Sequence, residues 1–211
     1  MNVPEMSTDD LALLLVDFQN AFLDPAGYVA RRGGGLTPSL QAAIRPAKEL
    51  LDAARRAGLA VIHTQHAFEP GYRDGGFITD EIFPRRLSDE DEPTYELVTG
   101  SWEADFLTPF APIAGETIIH KNRYDAFLNT SLQDTLERLR VRTLLVAGVA
   151  TTMCVESTVR EAAMRDYRVF LAADAVGDMN ESEHLPGIRR LTFNFAHPTT
   201  VGAVQHVLVA G

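Results

Sequence analysis

The chain has 211 residues, 45% of them hydrophobic, and a formal net charge of -10, from 19 Lys and Arg against 29 Asp and Glu. Binding phosphates needs a basic face, so this balance excludes nucleic acid and an anionic membrane as the main partner and points to a small molecule or another protein. The length suits one domain, 1–211, with a full core, and a single cysteine cannot close an intramolecular disulfide.

The start, MNVPEMSTDD, is acidic where a secretory signal carries a basic segment followed by an apolar one, which leads to the expectation of a cytoplasmic protein. Apolar stretches such as LALLLV and TLLVAGVA fall far short of the roughly 20 residues that span a bilayer. They read as core strands.

The first is Leu11 to Val16, apolar throughout as a strand covered on both faces must be, and it ends at Asp17. Leu40, Ala43, Ile44, Ala47, Leu50, Leu51 and Ala54 then recur at helical spacing and stop before Gly58, with Pro46 either kinking that helix or marking its regular start. LAVIHTQH is a second strand. From Ala67 to Gly115 the periodicity disappears among Pro70, Pro84, Pro93, Pro109 and Pro112, and such a stretch in a compact domain serves as a lid, a binding loop or a subunit contact. ETIIHK is a third strand, ending in Lys121, and Leu132, Leu136 and Leu139 mark the helix after it.

RTLLVAGVA is a fourth strand, followed by a helix from Cys154 to Asp166 with Val155, Val159, Ala162 and Ala163 on one face. YRVFLAADAVGD supplies a fifth strand, Glu181 to Phe195 another helix, and PTTVGAVQHVLVAG a last short strand with a closing helix. This alternation predicts an α/β fold of three α/β/α layers, Rossmann-like, around a mostly parallel six-stranded sheet. RRGGGL is not a dinucleotide fingerprint, because its glycine spacing is wrong and it does not lead from a strand into a helix; it reads as a flexible turn.

Ligands of open parallel sheets bind beyond the carboxyl ends of the strands. Asp17, Lys121 and Cys154 all stand at such ends, the last after a short turn in which Thr151 or Thr152 can cap a helix. Taken singly, each has an ordinary reading as a turn former, a solvated lysine or a packed thiol. Taken together, they offer a base, a cation and a nucleophile on one edge, with the helix start favouring the ionised thiol.

Three segments carry a family resemblance: LLLVDFQNAF at 13–22, KNRYDAFLNTSL at 121–132, and LLVAGVATTMCVESTVREAAMRDYRV at 144–169. In these motifs, and in their order and spacing, the chain resembles the isochorismatase-like cysteine hydrolases, which include nicotinamidase, N-carbamoylsarcosine amidohydrolase, ureidoacrylate amidohydrolase and biuret hydrolase. The resemblance implies a catalytic triad of Asp17, Lys121 and Cys154, a cis peptide between Val149 and Ala150, and an oxyanion hole made by the amides of Ala150 and Cys154. It implies hydrolysis of a C–N bond in a small amide or ureido compound, without a cofactor, by a homodimer or homotetramer.

Nicotinamidases hold a metal near the end of the second strand. Here HTQHAFEPG puts His66 where their Asp stands and Phe68 where a His stands, so no metal is expected. Members that cleave a vinyl ether lack the cysteine, so Cys154 argues against that alternative, and the complete triad argues against a noncatalytic binding protein. Substrate-binding candidates are Phe22, Tyr28, His66, Trp102, Arg123 and Tyr124, with Arg123 either gripping a substrate carboxylate or forming a structural ion pair. Asp125 stands where a small residue is common in the family.

Overall fold

The computed structural model describes residues 6–82 and 97–210. Residues 1–5 of the acidic start, and Pro84 and Pro93, lie outside the described residues.

The alternation expected from sequence is present. Strands β1 (Leu11–Val16), β2 (Ala60–His66), β3 (Thr117–Lys121), β4 (Thr143–Val149), β5 (Arg168–Gly177) and β6 (His197–Thr199) form one sheet in the order β3-β2-β1-β4-β5-β6, with every neighbouring pair parallel. The helices are α1 (Asn20–Leu23), α2 (Tyr28–Gly33), α3 (Pro38–Arg56), α4 (Leu132–Arg138), α5 (Glu156–Met164), α6 (Glu181–Asn194) and α7 (Val201–Ala210). No helix among the described residues is long and apolar enough to cross a membrane.

The continuous hydrophobicity of β1 has a direct structural counterpart. Leu11, Leu13 and Leu15 pack on one face against Leu40, Ala47, Leu50 and Leu51 of α3, and Val201 and Val204 of α7 join the same core. Ala12, Leu14 and Val16 pack on the other face, with Leu132 and Leu136 of α4, Val159 and Ala162 of α5, and Leu191 of α6. Side chains alternate across a strand, so a strand buried on both faces must be apolar at every position.

Two local expectations need adjustment. Of the two roles open to Pro46, the start of the helix falls: α3 begins at Pro38, where the missing N–H is an orphan in any case, capped by Thr37 Oγ1 accepting from Leu40 N, and it runs through Pro46 to Arg56. The RRGGG stretch is less of a turn than it looks, because Arg31, Arg32 and Gly33 close α2 and Gly34, at φ +71°, ends it in the left-handed conformation.

The end of α3 is tied to the start of β3 by a buried ion cluster. Glu116 accepts from Arg55 Nε (2.7 Å) and Nη2 (2.9 Å) and from the Ile113 amide (2.9 Å), and it meets His63 Nε2 at 2.9 Å. Burial alone would raise its pKa, but these hydrogen bonds outweigh burial and hold it at about 2, below the ordinary 4.5. A depressed carboxylate stabilises the fold above the unfolded-state pKa and loses that contribution as pH falls through the folded one. Denaturation midpoints should therefore drop between pH 4.5 and about 2, and Glu116→Gln should flatten that limb of the stability curve. An unchanged acid limb would show that the cluster contributes nothing.

Candidate active site

The sheet order places β1 between β2 and β4, so the chain leaves β1 toward one edge and returns at β4 toward the other. A crevice opens at that reversal, beyond the carboxyl ends. Val16 pairs with Gly148 across β1 and β4, and His66 with Lys121 across β2 and β3. The second of these pairs, with Asp17 and Cys154 beyond the first, supplies the candidate chemistry. Gly148 is required at this approach: at φ +151°, a Cβ there would lie 2.5 Å from the Val16 carbonyl oxygen.

Asp17 takes a left-handed conformation, φ 56°, and is fully buried. Its amide donates to Thr64 Oγ1 (3.1 Å), and that hydroxyl donates back to Asp17 Oδ1. The other carboxylate oxygen, Oδ2, lies 2.7 Å from Lys121 Nζ. Lys121 Nζ also donates to Cys154 Sγ (3.3 Å), to His66 Nδ1 (3.3 Å) and to the Arg123 carbonyl (3.1 Å). The three residues predicted at strand ends thus converge on one ammonium group.

Burial works against the charged form of Lys121, but the Asp17 carboxylate and the Cys154 sulfur beside it outweigh that and keep its pKa above the ordinary value. His66 is pushed well below its ordinary value by burial and by the charges of Lys121 and Arg123, and facing an ammonium its Nδ1 can only accept. Burial pushes the Cys154 thiol up, Lys121 opposes this, and the Asp17 charge adds to it. Burial and the Asp17 side chain thus work against the ionised thiol that a helix start alone would favour.

The turn carrying Cys154 differs from expectation. Thr151–Val155 forms a wide turn ahead of α5, in which both Met153 N and Val155 N donate to the Ala150 carbonyl. Neither Thr151 nor Thr152 caps it through its own side chain. Asp178, buried at the end of β5, accepts from Thr152 N (2.7 Å) and Thr152 Oγ1 (2.8 Å) instead. The peptide between Val149 and Ala150 is cis.

Cys154 opens onto a narrow cavity of about 50 Å³. Phe22, Tyr28, His66 and Tyr124 line it together with Val149 and Ala150, whereas Asp17 and Lys121 sit beneath its floor, closed off from solvent. Two substrate-binding candidates lie elsewhere. Trp102 is half exposed, its carbonyl held by Asn20 Nδ2, and Arg123 donates through Nη1 to the carbonyls of Asp74 (3.0 Å) and Asn122 (2.7 Å). The aperiodic segment contributes Phe68, Ile78 and Thr79 to the cavity wall, as a binding loop would.

Sequence reasoning passed over three residues that hold this arrangement. Thr64 fixes the Asp17 carboxylate, Asp178 fixes the Cys154 turn, and the buried Gln19 exchanges hydrogen bonds of 2.8 Å with the His66 backbone while donating to the Ala104 carbonyl. Thr64 is a hydroxyl buried one strand over from Asp17, in a strand that also carries His63, Gln65 and His66, so nothing local marks it out.

Asp17, His66 and Cys154 each bring a potential metal ligand atom within 4.8 Å of the others. The Lys121 ammonium already stands among those atoms, at 2.7 to 3.3 Å, so a divalent ion would have to share its place with a buried positive charge. The cluster does not fit a metal centre.

A family model of the isochorismatase domain matches residues 11–203. The ureidoacrylate amidohydrolase RutB of Methylobacterium radiotolerans is 31% identical over 203 residues, covering 93% of this chain and 78% of that protein. A cysteine hydrolase of Pseudomonas syringae pv. phaseolicola superposes with a TM-score of 0.84 at 24% identity, covering 97% of this chain and 95% of the other. An N-carbamoylsarcosine amidase of Thermoplasma acidophilum gives a TM-score of 0.73 at 24% identity, covering 91% and 96%. With its three motifs gathered at one sheet edge and the family model matched over nearly its whole length, the chain belongs to the isochorismatase family.

Proposed function

We propose that the protein is a cysteine hydrolase that cleaves a C–N bond of a small amide or of a ureido or carbamoyl compound through a thioester, releasing ammonia or an amine. That it is an amidohydrolase rests on the family and on its ureidoacrylate amidohydrolase relatives. The thiol chemistry rests on one observation: carboxylate, ammonium and sulfur are in contact, and only the sulfur reaches the cavity.

In this reading Asp17 takes the thiol proton as Sγ attacks the carbonyl carbon, and Lys121 stabilises the sulfur as it becomes anionic. The amides of Ala150 and Cys154 hold the tetrahedral oxyanion. Asp17 returns the proton to the leaving nitrogen, the C–N bond breaks, and a thioester remains. Asp17 then deprotonates a water that attacks the thioester carbon, and the sulfur leaves and recovers its proton. Ammonia or amine release from a panel of small amides, ureido acids and nicotinamide, with and without a thiol alkylator, tests the reading. Release that survives complete alkylation of Cys154 overturns it.

The same reading makes the reaction independent of metal, because Lys121 supplies the positive charge. Dialysis against a strong chelator should leave the rate unchanged. A loss restored by zinc, iron or manganese would show that a metal carries the chemistry. Assembly as a homodimer or homotetramer and a cytoplasmic place belong to this reading too. The exposed Leu185 and Phe193, two turns apart on α6, are apolar surface that self-association would cover, and light scattering measures the mass.

A further inference from the structure

The cavity wall is built from residues that reward an apolar body. Around the thiol stand Phe22 of α1, Val29 of α2, Leu40 of α3, Met153 of the Cys154 turn and Met179 beyond β5. Five separate parts of the chain therefore present hydrocarbon or thioether to whatever lies there, and the polar groups among the lining are Cys154 itself, Thr79, two tyrosines and His66, whose charged form burial disfavours. Among the described lining residues none carries a guanidinium or an ammonium.

Among the described residues, Arg123, the chain neighbour of the lining residue Tyr124, already has its Nη1 engaged. Arg123 holds the carbonyls of Asp74 and Asn122, and Asn122 Nδ2 bonds the Asp74 side chain at 2.8 Å. These contacts fasten the segment that carries Ile78 and Thr79 over the cavity, so drawing Arg123 inward would release that wall. Lys121 is committed to Asp17 beneath the floor. The chain as a whole bears a charge of -10, whose field repels an approaching anion.

We infer that this site takes an uncharged amide or ureide with an apolar body, and discriminates against the same group carrying a carboxylate. The inference rests on the amidohydrolase reading above and narrows it, and it departs from the curated relatives, whose named substrate, ureidoacrylate, is an acid. A carboxylate moved into this cavity would lose its hydration with no charged partner among the described lining residues in return, whereas an isopropyl group of the same shape would gain by leaving water.

Two pairs of isosteres isolate that difference. Isocaproamide and succinamate differ only in isopropyl against carboxylate, as do isobutylurea and carbamoylglycine. For the full-length enzyme, ammonia release should give kcat/KM at least about 100-fold higher for the uncharged member of whichever pair is turned over. Calorimetric titration of Cys154→Ser with the same four compounds should show at least about tenfold tighter binding of the uncharged members. Equal or better turnover or binding of the acids overturns the inference and leaves the amidohydrolase reading standing. Preferential binding of the uncharged compounds with no turnover by the unmodified enzyme supports the inferred ligand class and overturns the hydrolytic reading. No binding and no turnover of any of the four overturns both.

Discussion

Cys154→Ala should lower turnover by at least about 1000-fold while leaving the protein folded. The substitution removes one atom from a side chain that is only 6% exposed, packed beside Val155 and Val159 in the core under α5. The small void and lost contacts should change stability by no more than about 1 kcal/mol. Its catalytic consequence is out of proportion to its size, because Sγ is the one atom of the three interacting groups that a substrate carbonyl can approach from the cavity. Rapid-quench mass spectrometry of the unmodified enzyme should find an acyl adduct on the peptide containing Cys154, and the variant should show none. Substantial turnover by Cys154→Ala would return the thiol to a packing role.

That Asp17, Lys121 and Cys154 come together could be read from sequence because each stands at or just beyond the carboxyl end of a strand, and in a parallel sheet all strand ends of one kind share an edge. Leu11 to Val16 and the run before Val149 are apolar at every position, which leaves Asp17 and the polar residues after Ala150 conspicuous as the points where burial ends. What could not be read was the support. Asp178 reaches the Cys154 turn from the next strand, and Gln19 reaches His66 from a loop, and neither contact has any local periodicity to announce it. The 67–115 stretch was legible only as an interruption, since Phe68, Ile78 and Thr79 enter the cavity from irregular backbone. The direction in which the thiol pKa is shifted is hidden from sequence for a related reason. A helix start is visible in sequence, but the degree of burial that outweighs it depends on the whole packed sheet.

Asp17→Asn should separate chemistry from reactivity. Asparagine keeps the shape and can still accept from the Thr64 hydroxyl, but it cannot take a proton, so turnover should fall by about 100- to 10000-fold. The fold should tolerate this change less easily than the loss of Cys154. Asp17 and Lys121 are both closed to solvent and 2.7 Å apart, so removing the carboxylate leaves an ammonium without its counter-ion, at a cost of about 3–5 kcal/mol. Adding Lys121→Met should recover much of that stability, because a hydrocarbon side chain of similar length has no charge to desolvate, and should recover none of the activity. The thiol should respond in the opposite sense to turnover. In the unmodified protein the Asp17 charge raises the Cys154 pKa while Lys121 lowers it, so loss of Asp17 leaves the lowering influence unopposed. Alkylation of Asp17→Asn by iodoacetamide should therefore set in at lower pH than in the unmodified enzyme, even as turnover collapses. A variant that keeps its rate, or whose thiol is alkylated only at higher pH, would mean that Asp17 is not the group that takes the proton from Cys154.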